Sequence, residues 1–369
     1  MRIIFAGGGT GGHLYPGLAI ARAMRRLAPE VDPFFIGAIR GVERTVLPST
    51  GFGYELLDLH PLYRSRQWLN ALTLRGATTS WRRVGRIVRD AHPGCVVGTG
   101  GYASGIALGY ATLHRIPFAI QEQNSFPGLT TRIFSRYARQ VHLGFPEATE
   151  HLSPGRNTEV FDSGNPIEPP PEPRPPRGPA KRAWGFTDDQ PVLLIYGGSQ
   201  GSKAINDVVA KWIGTSTAPA GLGIIWGTGE RTYGDYHMLA SDAVRIRPYL
   251  DPIVEAYAAS DFAVSRGGAM ATAELCAWGI PPIVVPLPTA AADHQTANAR
   301  ALAAAGAGEM IPQSDLTPER LEDAVRVLTE NPARLAERSR MALERARPLA
   351  AQTIASQILK MVDIKRIRG

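Results

Sequence analysis

The run "FAGGGTGGHLYPG", residues 5–17, closes a cluster of glycines with a histidine. Glycines at a strand exit let backbone approach a phosphate closely, and a helix beginning just beyond presents free N–H groups to it. A lysine at the end of such a loop would hold the anion as a fixed charge. His13 instead offers an imidazole that takes up a proton near neutral pH, so the loop reads as a place where a hydroxyl nucleophile is deprotonated beside a bound phosphate. The plainer reading has His13 hydrogen-bonded within its own turn, and the local sequence leaves both open. Related loops recur at "GTGGYASG" (98–105) and "GGSQGSK" (197–203). One such loop is as readily a tight turn as a ligand contact; three, each at a strand exit, favour a ligand.

Residues 7–12 satisfy G-x-G-x-x-G. A dinucleotide site also requires an acidic residue at the exit of the second strand, and "PFFIGAIRG" (33–41) has none there, which counts against NAD or FAD. "GGSQGSK" misplaces Lys203 for an NTPase P-loop and lacks the hydroxyl after it.

The stretch "SRGGAMATAELCAWGIPPIVVPLP" (265–288) is richer. Arg266, Gly267 and Gly268 precede a helix expected from Ala269, whose N–H groups and dipole suit a diphosphate. Glu274 on that helix suits the two hydroxyls of a ribose, because a carboxylate offers acceptors in a planar fork; alone, it is equally a solvated helix carboxylate. In "ADHQTANA" (292–299) Asp293 and Gln295 suit sugar hydroxyls, with Asp293 serving equally as a helix cap. No D-x-D and no metal-spaced His/Cys/carboxylate cluster occurs, so no metal or other cofactor is expected. A nucleotide-sugar reaction here would stabilise its leaving diphosphate with helix dipole and N–H donors.

These loops need strands and helices to hold them. Short apolar runs recur at "RIIFA" (2–6), "PFFIG" (33–37), "CVVG" (95–98), "PFAI" (117–120) and "QVHL" (140–143). Amphipathic stretches separate them, as in "PGLAIARAMRRLA" (16–28), where Pro16 suits a first helical turn. That alternation means a parallel α/β sheet. It stops at the proline-dense "GNPIEPPPEPRPPRGPAK" (164–181), read as a stiff linker without helix or central strand. It resumes at "VLLIY" (192–196), "GIIW" (223–226), "AVRIR" (243–247), "FAVS" (262–265) and "PIVVP" (282–286), with helices from about residue 315. The expected plan is two Rossmann-like domains, 1–164 and 182–369, joined by a linker at 165–181, facing a cleft, with the last helix able to return to the first domain.

At 369 residues with 44% hydrophobic and 20% charged side chains, the chain is an ordinary globular one. Its net charge of +7, mostly arginine, favours acidic partners. Cys95 and Cys276 read as buried thiols of a reducing compartment. The N-terminal apolar stretch is too short for a signal peptide, and no apolar run is long enough to span a bilayer, which favours the cytoplasm.

In order, "GGTGGH" (8–13), "GTGGYASG", "EQNSFPG" (122–128), "GNP" (164–166), "GGSQGS" (197–202), "RGGAMATAEL" (266–275) and "DHQTANA" (293–299) resemble glycosyltransferase family 28. Its peptidoglycan members move N-acetylglucosamine (GlcNAc) from UDP-GlcNAc to the C4 hydroxyl of the muramyl sugar of lipid I, giving lipid II with inversion. The resemblance implies a GT-B fold, α/β throughout, with donor in the C-terminal domain and acceptor in the N-terminal one. It implies that Glu274 holds the ribose, and that Ser199, Arg266, Gly267, Gly268 and Ala269 surround the donor diphosphate. Backbone at Leu250 would read the uracil, and Asp293 and Gln295 would contact GlcNAc. Thr10, Gly11, Gly12, Gly100, Gly101, Tyr102 and Ser104 would surround the acceptor diphosphate, with Asn124 alongside. His13 is the leading candidate base and Glu122 its competitor. Two positions depart from the family pattern: Glu168 stands where a basic residue usually follows "GNP", and Trp226-Gly227 replace a usual His-Gln.

A lipid-linked acceptor implies contact with the anionic inner leaflet, on the cytoplasmic face of the inner membrane. "LYRSRQWLNALTLRGATTSWRRVGRIVRD" (62–90) carries seven arginines and one aspartate. Arg64, Arg66, Arg75, Trp68, Leu69 and Leu72 are the expected docking residues, whereas Trp81, Val84 and Val88 recur as a helix core stripe. Alternatives are a GT-B transferase with another lipid acceptor, a UDP-sugar epimerase, or a non-catalytic UDP-sugar-binding protein. Nucleic acid is not an expected partner, since no basic–aromatic module accompanies the motifs.

Overall fold

The computed structural model describes residues 1–58, 70–198, 200–215 and 219–368, without side chains at 70–75, 77 and 363–368. The chain divides into two compact units, Met1–Glu168 together with Leu349–Gly369, and Pro169–Pro348.

In the first unit β1 (Arg2–Gly7), β2 (Asp32–Ala38), β3 (Gly53–Leu57), β4 (Cys95–Gly100), β5 (Phe118–Glu122), β6 (Gln140–Leu143) and β7 (Glu159–Asp162) form one sheet. Their order is β3-β2-β1-β4-β5-β6-β7, and every pairing is parallel. The helices are α1 (Gly11–Leu27), α2 (Glu43–Val46), α3 (Asn70–Ala91), α4 (Gly101–Leu113) and α5 (Leu129–Phe134). Alternation along β1 explains the two layers. Ile3 and Phe5 pack with Leu14 and Leu18 of α1 and with Ile354 and Ile358 of the C-terminal helix (Ala350–Arg368). Ile4 and Ala6 face the other way, onto Val84 and Ile87 of α3 and Leu108 of α4. Each fully buried aliphatic side chain stabilises the sheet by roughly 1.5–3 kcal/mol.

Pro16 lies inside α1 and not in its first turn, because the helix starts earlier, at Gly11. The carbonyl of Thr10 accepts from the N–H of His13 (3.2 Å) and of Leu14 (3.3 Å), so the end of the glycine loop is itself helical.

The second unit holds α6 (Arg177–Ala183) and the parallel strands β8 (Val192–Tyr196), β9 (Gly223–Gly227), β10 (Val244–Arg247), β11 (Phe262–Ser265), β12 (Pro282–Val284) and β13 (Glu309–Met310). They run in the order β10-β9-β8-β11-β12-β13. Around them lie α7 (Lys203–Gly214), α8 (Tyr233–Tyr236), α9 (Ile253–Ala259), α10 (Ala269–Trp278), α11 (His294–Ala304), α12 (Pro318–Thr329) and α13 (Pro332–Arg345). α6 corrects the reading of 164–181 as free of helix: Pro176 precedes it and Pro179 falls in its first turn, where no N–H partner is lost. Trp226 is fully buried, its indole N–H donating to Asn206 Oδ1 at 3.0 Å, so that departure from the family pattern fills the core. Glu168 is exposed.

In both sheets the strand order reverses at one point, between β1 and β4 and between β8 and β11. Within each sheet, the carboxyl ends of those two strands mark the switch point at which open α/β sheets bind ligands. All three glycine loops, together with "RGGA", leave from these four strands.

Among the docking residues, Arg64, Arg66, Trp68 and Leu69 lie outside the described residues, and Leu72 and Arg75 belong to α3 without described side chains. Farther along α3, Val84 is buried, Val88 packs on the same core, and Trp81 lies 5.2 Å from the ring of Tyr110. Among the described residues no helix is long and apolar enough to cross a membrane.

Candidate active site

In the first unit the loops after β1 and β4 are stitched together. The N–H of Gly8 donates to the Gly100 carbonyl at 3.3 Å, and Gly101, at φ +78°, comes so near that a Cβ there would lie 2.2 Å from the Gly8 oxygen. Beyond this seam stand the first N–H groups of α1, at Gly11 and Gly12, with exposed Thr10 before them. Tyr102, about half exposed, lies near the start of α4. Ser104 is placed differently: it is fully buried, and a Cβ on Gly98 would fall 2.6 Å from its hydroxyl. Its hydroxyl is sealed beneath the loop, without a hydrogen-bond partner among the described residues.

His13 is half-buried, and its orientation is fixed. Nδ1 lies 3.0 Å from the Thr99 carbonyl oxygen and 3.2 Å from Gln123 Oε1. Gln123 Nε2 donates to the carbonyls of Thr99 (3.0 Å) and Gln121 (3.2 Å), which settles that Oε1 is the atom turned toward the imidazole. Facing two acceptors, Nδ1 carries the ring proton and Nε2 keeps its lone pair. The Thr99 hydroxyl closes the arrangement by donating to the His13 carbonyl at 2.7 Å. This is the tautomer that a general base requires.

Glu122 is engaged differently. Its Oε1 accepts from the backbone N–H (3.0 Å) and the side-chain amide (3.3 Å) of Asn124. Its Oε2 accepts from the Gly128 N–H (3.1 Å) and the Thr131 hydroxyl (2.6 Å). Four donors fill the four acceptor positions of the buried carboxylate, which fastens the turn between β5 and α5.

A second acid joins the site from below. Glu43 is completely buried, and its Oε1 accepts the Gly9 N–H at 2.9 Å. Burial raises its pKa, with its own, Gly9 and Ala38 backbone N–H groups opposing the rise. Oε2 has no hydrogen-bond partner among the described residues. Three glycines make room for this carboxyl: a Cβ on Gly41 would lie 1.8 Å from Oε2, on Gly37 2.7 Å from Cγ, and on Gly8 3.0 Å from Oε1. An acid beyond β2 does therefore reach the glycine loop, but it is sealed beneath the backbone, where it cannot hold a ribose.

In the second unit Ser202 caps α7, accepting from the Ile205 N–H at 3.4 Å; Ser199 lies outside the described residues. Arg266 is a cross-brace. Nη1 donates to the carbonyls of Val285 (3.1 Å) and Pro286 (3.2 Å), and Nη2 to Ser202 Oγ (2.7 Å) and Gln313 Oε1 (2.8 Å). From the loop after β11 its donors thus reach the loops after β8, β12 and β13, and burial lowers its pKa. Gly268 precedes the first turn of α10, with open space where its Cβ would be. Gly267 is pressed against α11: its carbonyl accepts from Asn298 Nδ2 at 3.0 Å, and a Cβ would lie 2.5 Å from the Gln295 oxygen.

Glu274 lies farther along α10, where burial raises its pKa and a hydrogen bond from Tyr257 opposes that rise. Tyr257 donates to its Oε2 at 2.8 Å. Leu250, shortly after β10, anchors its side chain in the core against Gly227. Ala292 and Asp293 both adopt left-handed backbone (φ +51° and +54°), each costing on the order of 1–2 kcal/mol. Asp293 is exposed and accepts from the Thr296 hydroxyl at 2.6 Å. Gln295 Oε1 accepts the Leu287 N–H at 3.0 Å, which leaves its amide N–H groups as donors. Among the described residues no group of three or more His, Cys, Asp or Glu is placed to hold a metal ion.

Sequence reasoning passed over Thr99, Gln123, Glu43 and Tyr257. The only signals for Gln123 and Thr99 were their places inside "EQNSFPG" and "GTGGYASG"; nothing local marked Glu43 or Tyr257.

The glycosyltransferase family 28 N-terminal domain matches residues 3–143, and the family's C-terminal domain matches residues 192–354. The UDP-N-acetylglucosamine–N-acetylmuramyl-(pentapeptide) pyrophosphoryl-undecaprenol N-acetylglucosamine transferase of Salinibacter ruber is 39% identical over 367 residues, 98% of this chain and 97% of that protein. Its namesake from Chlorobaculum parvum is 37% identical over 370 residues, 98% and 99% of the two chains. The crystal structure of Acinetobacter baumannii MurG superimposes with a TM-score of 0.78 at 27% identity, covering 97% of this chain and 99% of that one. With both domain types matched in sequence order and kinship running the length of the chain, the protein belongs to glycosyltransferase family 28.

Proposed function

We propose that the protein transfers GlcNAc from UDP-GlcNAc to the C4 hydroxyl of lipid I, forming β-1,4-linked lipid II and UDP. The names of its full-length relatives support donor and acceptor. The observation that carries the chemistry is the His13 imidazole, with its proton tied at Nδ1 beside the opening turn of α1. In this reading Nε2 takes the proton of the C4 hydroxyl as O4 bonds to the anomeric carbon from the face opposite UDP. The bond from that carbon to the β-phosphate oxygen breaks, and UDP leaves with the electron pair. Donors at the start of α10 stabilise the departing diphosphate, and Glu274 holds the ribose. Thr10, Gly11 and Gly12 receive the acceptor diphosphate at the N-terminus of α1.

The test is transfer of radiolabelled GlcNAc from UDP-GlcNAc to a short-chain lipid I analogue, with product identified by mass. Lipid II formation is the expected result. A folded, UDP-binding protein that transfers nothing to this analogue overturns the acceptor assignment, and release of free epimerised sugar would make it an epimerase.

The enzyme works as a peripheral protein on the cytoplasmic face of the inner membrane, docked through Arg64, Arg66, Arg75, Trp68, Leu69 and Leu72. Each basic residue near an anionic surface contributes about 1 kcal/mol, so reversing Arg64, Arg66 and Arg75 to glutamate should weaken vesicle binding by at least about a hundredfold. Cosedimentation with phosphatidylglycerol-containing vesicles reads this directly; an unchanged bound fraction removes the segment from the interface.

A further inference from the structure

Glu274 is a long side chain on α10, and nothing in that helix dictates where its carboxyl points. The position is set from α9 and β8. Tyr257 Oη lies 2.8 Å from Glu274 Oε2, and Tyr196 Oη lies 3.2 Å from Tyr257 Oη. A carboxylate only accepts, so Tyr257 donates to it and Tyr196 in turn donates to Tyr257. Tyr196 ends β8 immediately before a glycine loop, so the relay joins that loop's root to α10.

The phenol is placed by packing and needs no ligand to order it. The Tyr257 ring is buried, 5.9 Å from the ring of Trp278 and edge-on to Tyr196 at 6.4 Å, within the core that includes Leu194 and Leu275. Burial also raises the pKa of both phenols, which keeps them protonated as donors.

We infer that Tyr257 is a positioning residue which, through its hydrogen bond to Oε2, fixes the Glu274 carboxylate for a nucleotide diol and so sets the preference for ribose over deoxyribose. This rests on the donor reading above, in which Glu274 faces the ribose. With one lone pair of Oε2 engaged by Tyr257, the second, together with both of Oε1, serves two vicinal hydroxyls. Without the tether, the carboxylate must give up its rotamer freedom at each binding event, and its grip on the hydroxyls weakens. A site built to bond a hydroxyl discriminates sharply against the analogue lacking it, so the effect should appear as lost discrimination.

The experiment is calorimetric titration of UDP and 2′-deoxy-UDP into the full-length protein, comparing wild type with Tyr257→Phe, Tyr196→Phe and Glu274→Gln. Wild type should prefer UDP. Tyr257→Phe should bind UDP about tenfold more weakly, with 2′-deoxy-UDP much less affected, so that the ratio falls toward one. Tyr196→Phe, which frees the Tyr257 hydroxyl at its far side, should lower the ratio by about two- to threefold and serves if Tyr257→Phe does not fold. A wild-type ratio in both tyrosine variants, with the ratio lost in Glu274→Gln, overturns the inference and leaves the ribose reading standing. A wild-type ratio in Glu274→Gln overturns both. A purely structural role for Tyr257 would weaken the two nucleotides equally, and that outcome also overturns the inference.

Discussion

Replacing His13 with alanine should lower GlcNAc transfer by about 10²–10⁴-fold while UDP binding stays within about twofold of wild type. The range is what a positioned general base contributes, and the geometry argues that His13 acts as one. Its Nδ1 proton is committed to Thr99 O and Gln123 Oε1, so the ring cannot offer Nδ1 as a base and must offer Nε2. His13→Asn sharpens the test. It can still donate toward the Thr99 carbonyl, so it preserves much of the local bonding, yet it has no lone pair basic enough to take the proton. It should be as inactive as His13→Ala. Stopped assays with the lipid I analogue give the rate, and titration with UDP gives the control. Retention of a third or more of wild-type activity by either variant would remove His13 from the chemistry. Glu122 is then the alternative, but its four acceptor positions already hold Asn124, Gly128 and Thr131, and using it as a base would require that turn to open.

The second large effect is expected at Gly101→Ala. The residue sits at φ +78°, which costs an L side chain on the order of 1–2 kcal/mol, and its new Cβ would lie 2.2 Å from the Gly8 carbonyl oxygen. That neighbour is backbone and cannot rotate aside, so the two loops must separate, adding roughly 1–3 kcal/mol. The first unit's unfolding midpoint should fall by roughly 5–15 °C. Transfer should fall further than folding does, because the separation breaks the Gly8-to-Gly100 hydrogen bond that brings the α1 and α4 N-termini together. Gly105→Ala is the matched comparison. It lies inside α4, where a Cβ would meet Thr130 Oγ1 at an ordinary 3.6 Å, and should stabilise by about 0.5–1 kcal/mol. Scanning calorimetry of the pair checks the contrast; equal midpoints for the two variants would mean that the loops are not in contact in solution.

The central strands were plain in the sequence because parallel strands covered on both faces read as unbroken apolar runs, as in "VLLIY" and "CVVG". The three strands that escaped, β3, β7 and β13, are all at sheet edges, where one side meets water and the apolar run breaks up. The glycine loops were legible for a related reason: positive φ and close backbone approach admit few other residues. Side-chain positioning was not legible. Gln123 meets His13 across 110 positions of chain and Tyr257 meets Glu274 across 17, pairings that only the sheet order and helix packing create. Arg266 shows the converse, since its place before a helix N-terminus invited a phosphate contact while its guanidinium in fact braces three loops.

Glu43 and the glycines around it carry an evolutionary consequence. Gly8 follows β1, whereas Gly37 and Gly41 flank the end of β2, yet each keeps clear the volume that one carboxyl fills. Gly37 and Gly41 cannot acquire a side chain while the glutamate stays where it is, Gly8 can do so only if the carboxyl gives way by a few tenths of an ångström, and losing the glutamate first leaves an empty pocket beneath the loop that bears His13. A single-step change at Gly37, Gly41 or Glu43 therefore passes through a damaged intermediate, and these three positions should drift together, with Gly8 the least constrained of the quartet.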